Sequence, residues 1–263
     1  DCLLSRGLGD VYKRQLQAQC ASFCSADDVR QYKASECLRH AVELDARLRA
    51  ESSDSTAVTD ELAHSLRLLL PGAAHLPWDK FEHVCTTYEQ LRYATGVVAL
   101  GLASAHAVDP ADAAVSFRAD GCPADEPMSH RHAMYALRRR IYALVLRALR
   151  DDAEAMRQAL ASDDALFHEE LYTYMIAHGK TSELLSTPTP FLEDFLQGTP
   201  VLLDGQSLET YERRLRDLLW QWYVRQGEYL AAAQTLDALA HTDTYALHLY
   251  ERIEYLALAV GNA

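Results

Sequence analysis

From Leu208 to Ala240 apolar and polar positions follow one another with the period of an α-helix. Leu208, Tyr211, Leu215, Leu218, Leu219, Trp222 and Tyr223 share one stripe. Arg225-Gln226-Gly227 interrupts it, and Tyr229, Ala232, Ala233, Leu236, Leu239 and Ala240 resume it. A stripe this wide has to be covered, and the nearest cover is the helix after the turn. The spacing predicts a helix pair that buries both stripes. Trp220 is expected inside that pair, where its truncation would cost about 3–5 kcal/mol. Between Asp164 and Leu239 the same device appears three times: an aromatic-rich helix, a glycine turn, then a second helix or a Pro-bounded continuation. Turns are expected at Gly96, Gly179 and Gly227, too unevenly spaced for a strict repeat.

The rest of the chain reads as helices of the same kind. Leu16 to Ala50 is helical, with Leu38, Val42, Leu44 and Leu48 on or near one face. The polar Glu51–Thr59 stretch is a loop, and Thr59 or Asp60 caps a helix that Pro71-Gly72 ends. Pro77 starts another, with Phe81, Val84, Cys85, Tyr88 and Leu91 at three-four spacing. Tyr93 to Ala107 is rich in small residues, Gly101 among them, which permit a close helix approach. Asp109–Ser129, with three prolines and several acids, reads as a long exposed connection. Ser129 is a candidate N-cap for a helix directing Met134, Leu137, Ile141, Leu144, Val145 and Ala148 inward. Helices at 151–161 and 165–178, a short helix, the Thr187-Pro188-Thr189-Pro190 segment, Phe191–Leu196 and a final helix near Tyr245–Val260 complete the pattern. Strand-forming β-branched runs are almost absent. The expected fold class is all-α, an irregular α-solenoid of stacked helix pairs. Such solenoids present surface to other proteins.

Charge narrows the partners. With 25 Lys and Arg against 38 Asp and Glu, the formal charge is −13, which argues against direct nucleic-acid binding. Acidic excess favours basic partners. Six cysteines without regular spacing fit a reducing compartment. The longest uncharged apolar stretch, near 96–108, is too short for a transmembrane segment. Asp1–Gln15 (DCLLSRGLGDVYKRQ) resembles read-through of a sequencing-library adapter and is read as a non-native leader, which places the solenoid in 16–263. The lack of an initiating Met and the stop just past an apolar helix at Ala263 read as the ends of a fragment of something longer.

Candidate chemistry is sparse. Cys20, Cys24, Cys37 and His40 have the donor types of a zinc site, but no glycine knuckle surrounds either pair, and small apolar packing is the better reading. His130 and His132 sit at a helix start, where their imidazoles diverge. His168-Glu169-Glu170 opens like a zinc-protease helix, but Tyr172 stands where the second histidine is needed, so it reads as ordinary helix surface. The Arg138-Arg139-Arg140 run spreads around its helix and reads as a solvated face. No P-loop, dinucleotide fingerprint or nucleophile elbow occurs. The expectation is no catalytic residue, no cofactor, no metal and no enzyme, with partner-binding residues unassigned. An all-α hydrolase or metalloenzyme is the most remote reading.

The stretch Asp164–Leu196, DDALFHEELYTYMIAHGKTSELLS…TPFLEDFL, resembles the solenoid of the large inner-ring scaffold nucleoporins of the nuclear pore complex, the type named for masses near one-fifty-five or one-seventy kilodaltons. Asp217–Gly227, Ala231–Ala240 and Glu251–Ala257 are similar to the same family, and Phe81–Gly96 and the Asp109-Pro110…Asp120-Gly121-x-Pro123 segment match it more weakly in the same order. Ala114-Val115-Ser116-Phe117 departs from the larger aromatics usual in that family. The resemblance implies a C-terminal solenoid fragment of a β-propeller-plus-solenoid scaffold. Such a protein binds other nucleoporins, sits at the pore in the nuclear envelope and supports nucleocytoplasmic transport and pore anchoring. Residue physics alone also admits a vesicle-coat or peptide-binding helical-repeat protein.

Overall fold

The computed structural model describes residues 25–51, 56–123, 129–150, 152–187, 189–198 and 208–263. The leader reading for 1–15, and Cys20, Cys24, Pro188 and Pro200, lie outside these residues. The described residues form helices and no strand, as the patterning predicts. They fall into two compact units that divide between Ala159 and Leu160.

In the first unit, α1 (Ala26–Glu51) packs along α2 (Thr56–Leu69). The buried face of α1 carries Ala34, Leu38 and Ala41, so Leu38 lies inward as expected while Val42 is exposed. Leu44 and Leu48 are half-buried. Helix α2 starts at Thr56, which puts Thr59 and Asp60 within it and not at its cap. It runs on into a 3-10 turn at Leu70–His75 that contains Pro71 and Gly72. Pro77, with φ −57°, precedes α3 (Trp78–Gln90), and α4 (Ala94–Val108), α5 (Ala113–Ala119) and α6 (His130–Ala148) follow. Ser129 caps α6 by accepting from the His132 amide at 3.1 Å. Helix α7 (Ala153–Leu160) ends at the boundary.

The second unit holds α8 (Ala165–Ala177), α9 (Thr181–Ser186), α10 (Leu192–Gln197), α11 (Leu208–Gln226), α12 (Tyr229–His241) and α13 (Leu249–Asn262). The short helices α9 and α10 both touch α8 and α11, while α12 packs against α11 and α13. Asp164 caps α8 by accepting from the Phe167 amide at 3.1 Å.

Gly179 and Gly227 are turns, with φ of 72° and 80°. At both, the amide after the glycine reaches back five residues: Lys180 to the Met175 carbonyl at 2.9 Å and Glu228 to the Tyr223 carbonyl at 2.9 Å. This bond closes the last helical turn, and the glycine supplies the left-handed residue it requires. The upstream turn differs from expectation. Tyr93 makes the same bond to Tyr88, but the left-handed residue is Arg92, with φ 57°. Gly96 lies inside α4, under the Tyr93 ring, where a Cβ would come within 2.2 Å of that ring.

The small residues of α4 do what their pattern predicts. A Cβ on Gly101 would lie 2.3 Å from the Cγ2 of Val145, a fully buried residue of α6. Valine has no flexible end to move aside, so Gly101→Ala forces the two helices apart. We expect a loss of about 1–3 kcal/mol, the usual cost of overpacking a dense core. Urea denaturation should show it as a lower midpoint, and an unchanged midpoint would mean that α4 and α6 are not so close.

Candidate interaction surfaces and buried polar sites

Three sequence expectations change once the side chains are placed. The Asp109–Ser129 segment is not a bare connection, because its described part contains α5, with Ala114 and Phe117 buried. The helix is held by Asp109, whose two carboxylate oxygens accept from the Ala113 and Ala114 amides at 2.8 and 3.0 Å. Asp112 takes the left-handed conformation at the helix start, with φ 51°.

Arg138 is the counterpart of that carboxylate. Its side chain is 3% exposed against 2% for Asp109, and its Nη1 lies 3.2 Å from Asp109 Oδ2 and 3.2 Å from Asp112 Oδ1. Its Nε donates to the Tyr142 hydroxyl at 2.7 Å. The first arginine of the run is therefore an internal charge that ties α6 to the start of α5, and not part of a solvated face. A buried carboxylate that already holds two amides still needs a cation, and Arg138 supplies it. Arg139 is half-buried near the Tyr135 ring, and Arg140 reaches 3.8 Å from the Trp78 ring centroid. One turn earlier, His132 sets its ring edge against Phe117, while His130 is exposed.

His168 is fully buried, where sequence reasoning placed helix surface. Its Nε2 lies 2.8 Å from the Ser162 carbonyl, and its ring packs beside Phe167, Tyr172 and Phe191. Because the carbonyl can only accept, Nε2 carries the proton. Nδ1 is buried without a hydrogen-bond partner. Desolvation pushes the imidazole pKa down, opposed by the Ser162 bond. The unfolded chain then takes up a proton more readily than the folded one. Stability is whole above the unfolded histidine value of about 6.5 and declines as pH falls through it towards the lower folded value. His168→Phe should flatten this acid-side decline in urea midpoints. Equal slopes for the two proteins would show that the imidazole is already charged when folded.

The zinc-type residues are not gathered in the described region. His40 Nδ1 is 2.6 Å from Glu61 Oε1, and Cys37 is half-buried on α1. Among the described residues no group of three or more His, Cys, Asp or Glu side chains is placed to hold a metal ion. No helix among them is long and apolar enough to cross a membrane.

Two surfaces of the second unit are open. A groove of about 530 Å³ is lined by Arg216, Tyr223, Gln234, Thr235, Leu239 and Tyr245. Helix α13 turns Tyr255 and Ala259 into a core with Leu236, Leu239 and Ala240 of α12. Its other face carries Leu249, Ile253, Leu256 and Val260, which are 74%, 57%, 37% and 80% exposed. Their four-three-four spacing is the pattern a packed helix presents to a neighbour. Tyr229 and Leu230 at the start of α12 are exposed as well. Of the two stripes predicted for α11 and α12, Leu208 and Tyr229 thus remain outside and Trp222 is half-buried, while the other named positions are buried.

The profile of the family described as non-repetitive/WGA-negative nucleoporin C-terminal matches residues 3–263. A probable nucleoporin of Schizosaccharomyces pombe is 30% identical over 273 residues, covering 98% of this chain and 19% of that protein. Nucleoporin NUP170 of Chaetomium thermophilum is 30% identical over 270 residues, covering 94% of this chain and 18% of that protein. The chain thus spans about a fifth of the length of these relatives. Among solved structures, Chaetomium thermophilum Nup170 SOL superposes with a TM-score of 0.72 at 30% identity, over 96% of this chain and 33% of that one. The Nup170 CTD–Nup145N complex of the same organism gives 0.68 at 27% identity, over 89% of this chain and 46% of that one.

Proposed function

Because the chain belongs to the non-repetitive/WGA-negative nucleoporin C-terminal family, we propose that it is a structural piece of the nuclear pore scaffold, acting through protein–protein contacts. The observation that carries this reading is the family match over nearly the whole chain. Stacked helix pairs and the bare three-four stripe on α13 support it, because an apolar face of this kind is a seat for another helix. The role is architectural and not enzymatic, and its place is the pore at the nuclear envelope. There the longer protein would support nucleocytoplasmic transport and anchoring of the pore.

Other nucleoporins are the proposed partners. A solved relative is a Nup170 CTD–Nup145N complex, which supports this choice. The formal charge of −13 favours basic segments within such partners. The test is a fluorescent tag on the full-length protein. A rim at the nuclear envelope and recovery of nucleoporins on affinity purification are expected. An even cytosolic spread, with coat proteins recovered in place of nucleoporins, overturns the reading.

A further inference from the structure

The segment between α9 and α10 contains two Thr-Pro steps, Thr187-Pro188 and Thr189-Pro190, which the scaffold reading leaves unused. A threonine followed by proline is the acceptor pattern of proline-directed Ser/Thr kinases. The two threonines are held differently. Thr187 is tied into the end of α9, where its hydroxyl donates to the Glu183 carbonyl at 3.0 Å. Thr189 lies outside any helix, is half-buried, and precedes an exposed Pro190. Its Oγ1 accepts from the Tyr172 hydroxyl at 2.6 Å.

That hydrogen bond joins the connecting segment to α8. The Tyr172 ring is fully buried and packs against Phe195 of α10 at 5.2 Å and against His168 at 5.2 Å. His168 in turn lies 5.0 Å from Phe191. Burial pushes the Tyr172 pKa up to about 12, so its hydroxyl remains a donor that needs an acceptor. The helices on either side have six residues each, so α9 and α10 depend on packing against α8 and α11 for their stability.

We propose that Thr189 is a phosphoacceptor for a proline-directed Ser/Thr kinase, and that its phosphorylation releases α9 and α10 from α8. Thr189 Oγ attacks the γ-phosphorus of a nucleoside triphosphate. The new O–P bond forms as the β–γ bridging P–O bond breaks, the nucleoside diphosphate leaves, and a base on the kinase takes the hydroxyl proton. A neutral acceptor thereby becomes a group of charge about −1.5 to −2. Such a group cannot stay against a buried aromatic cluster without its water, and Glu193 and Asp194 stand in the first turn of the next helix. The phosphate turns to solvent, and the Tyr172 hydroxyl loses its partner inside the core. Whether the exposed stripe of α13 seats a partner plays no part in this chain of events, so the proposal stands apart from the scaffold reading.

The test uses the whole chain, a cyclin-dependent kinase and a nucleoside triphosphate. Mass spectrometry should place the phosphate on Thr189. Pro190→Ala should abolish it, and Thr187→Ala should leave it in place. No incorporation, or label on Thr187 alone, overturns the acceptor assignment. Amide hydrogen exchange of the phosphorylated protein then reads the release: faster exchange in 181–197, with 229–241 unchanged. Thr189→Val, which removes the acceptor but adds no charge, should speed exchange there less than the phosphate does. A phosphorylated protein whose 181–197 amides exchange as before overturns the release.

Discussion

Replacing Arg138 by alanine is expected to destabilise the first unit by about 3–5 kcal/mol, the cost of stripping one partner from a buried ion pair. Asp109 would keep its bonds to the Ala113 and Ala114 amides but lose its cation at 2% exposure. The Tyr142 hydroxyl, which accepts from Arg138, would lose that donor in a site where Tyr142 is fully buried. Arg138→Met separates charge from volume, because it fills the space and still leaves Asp109 unpaired. We expect it to recover only a minor part of the loss. Adding Asp109→Asn to Arg138→Met should recover more, since no uncompensated charge then remains, although the amide offers one acceptor to α5 where the carboxylate offers two. Amide exchange should localise the damage to α4, α5 and α6, and urea midpoints should give its size. If Arg138→Ala melts like the parent, the pair is solvated and α5 is held by its apolar residues alone.

This network also shows which parts of the molecule were legible in the sequence. Helix type and most boundaries followed from three-four spacing, because burying a stripe is what decides them. Ser129, Gly179 and Gly227 were readable as ends, because each has a local role carried out within a few residues. Arg138 was not, because its partner lies 29 residues away in a segment whose prolines and acids spell a loop. No periodicity reports a contact at that distance. Arg92 was hidden for another reason. The six-to-one closing bond to Tyr88 needs a left-handed residue, glycine is the usual one, and the nearest glycine, Gly96, lies four residues later. His168 failed because a lone histidine among acids looks exposed, while the aromatics that enclose it are Phe167, Tyr172 and Phe191. The bare stripe of α13 marks the opposite limit: periodicity announces an apolar face and says nothing of whether anything covers it. The absence of a catalytic expectation followed from motif chemistry alone.

Trp220 tests the helix phase of α11 directly. The stripe read from sequence runs through Trp222, and Trp220 is expected inside the pair; Trp220 packs, with Tyr245 and Leu247, on the Leu236, Leu239, Ala240, Tyr255 and Ala259 core that joins α12 to α13. Trp222 instead lies beside Tyr223, with ring centroids 5.3 Å apart. Both indoles are half-buried, so burial alone does not separate them, but what each touches does. Trp220→Ala removes a side chain packed on this core and leaves a cavity between α11, α12 and α13. The expected loss is about 3 kcal/mol, at the lower end for an aromatic deletion because the ring is not fully enclosed. Trp222→Ala should cost roughly 1 kcal/mol, since it removes a flanking ring and opens no cavity in the core. Thermal melts compare the two, and amide exchange in α12 and α13 identifies the cause. Exchange there should quicken for Trp220→Ala and stay near the parent for Trp222→Ala. A reversed order would mean that α11 is rotated by about half a turn about its axis, since two residues advance a helix by about 200°. Tyr211, Leu215, Leu218 and Leu219 would then face outward, and the stripe from which the helix pair was inferred would no longer be the buried one.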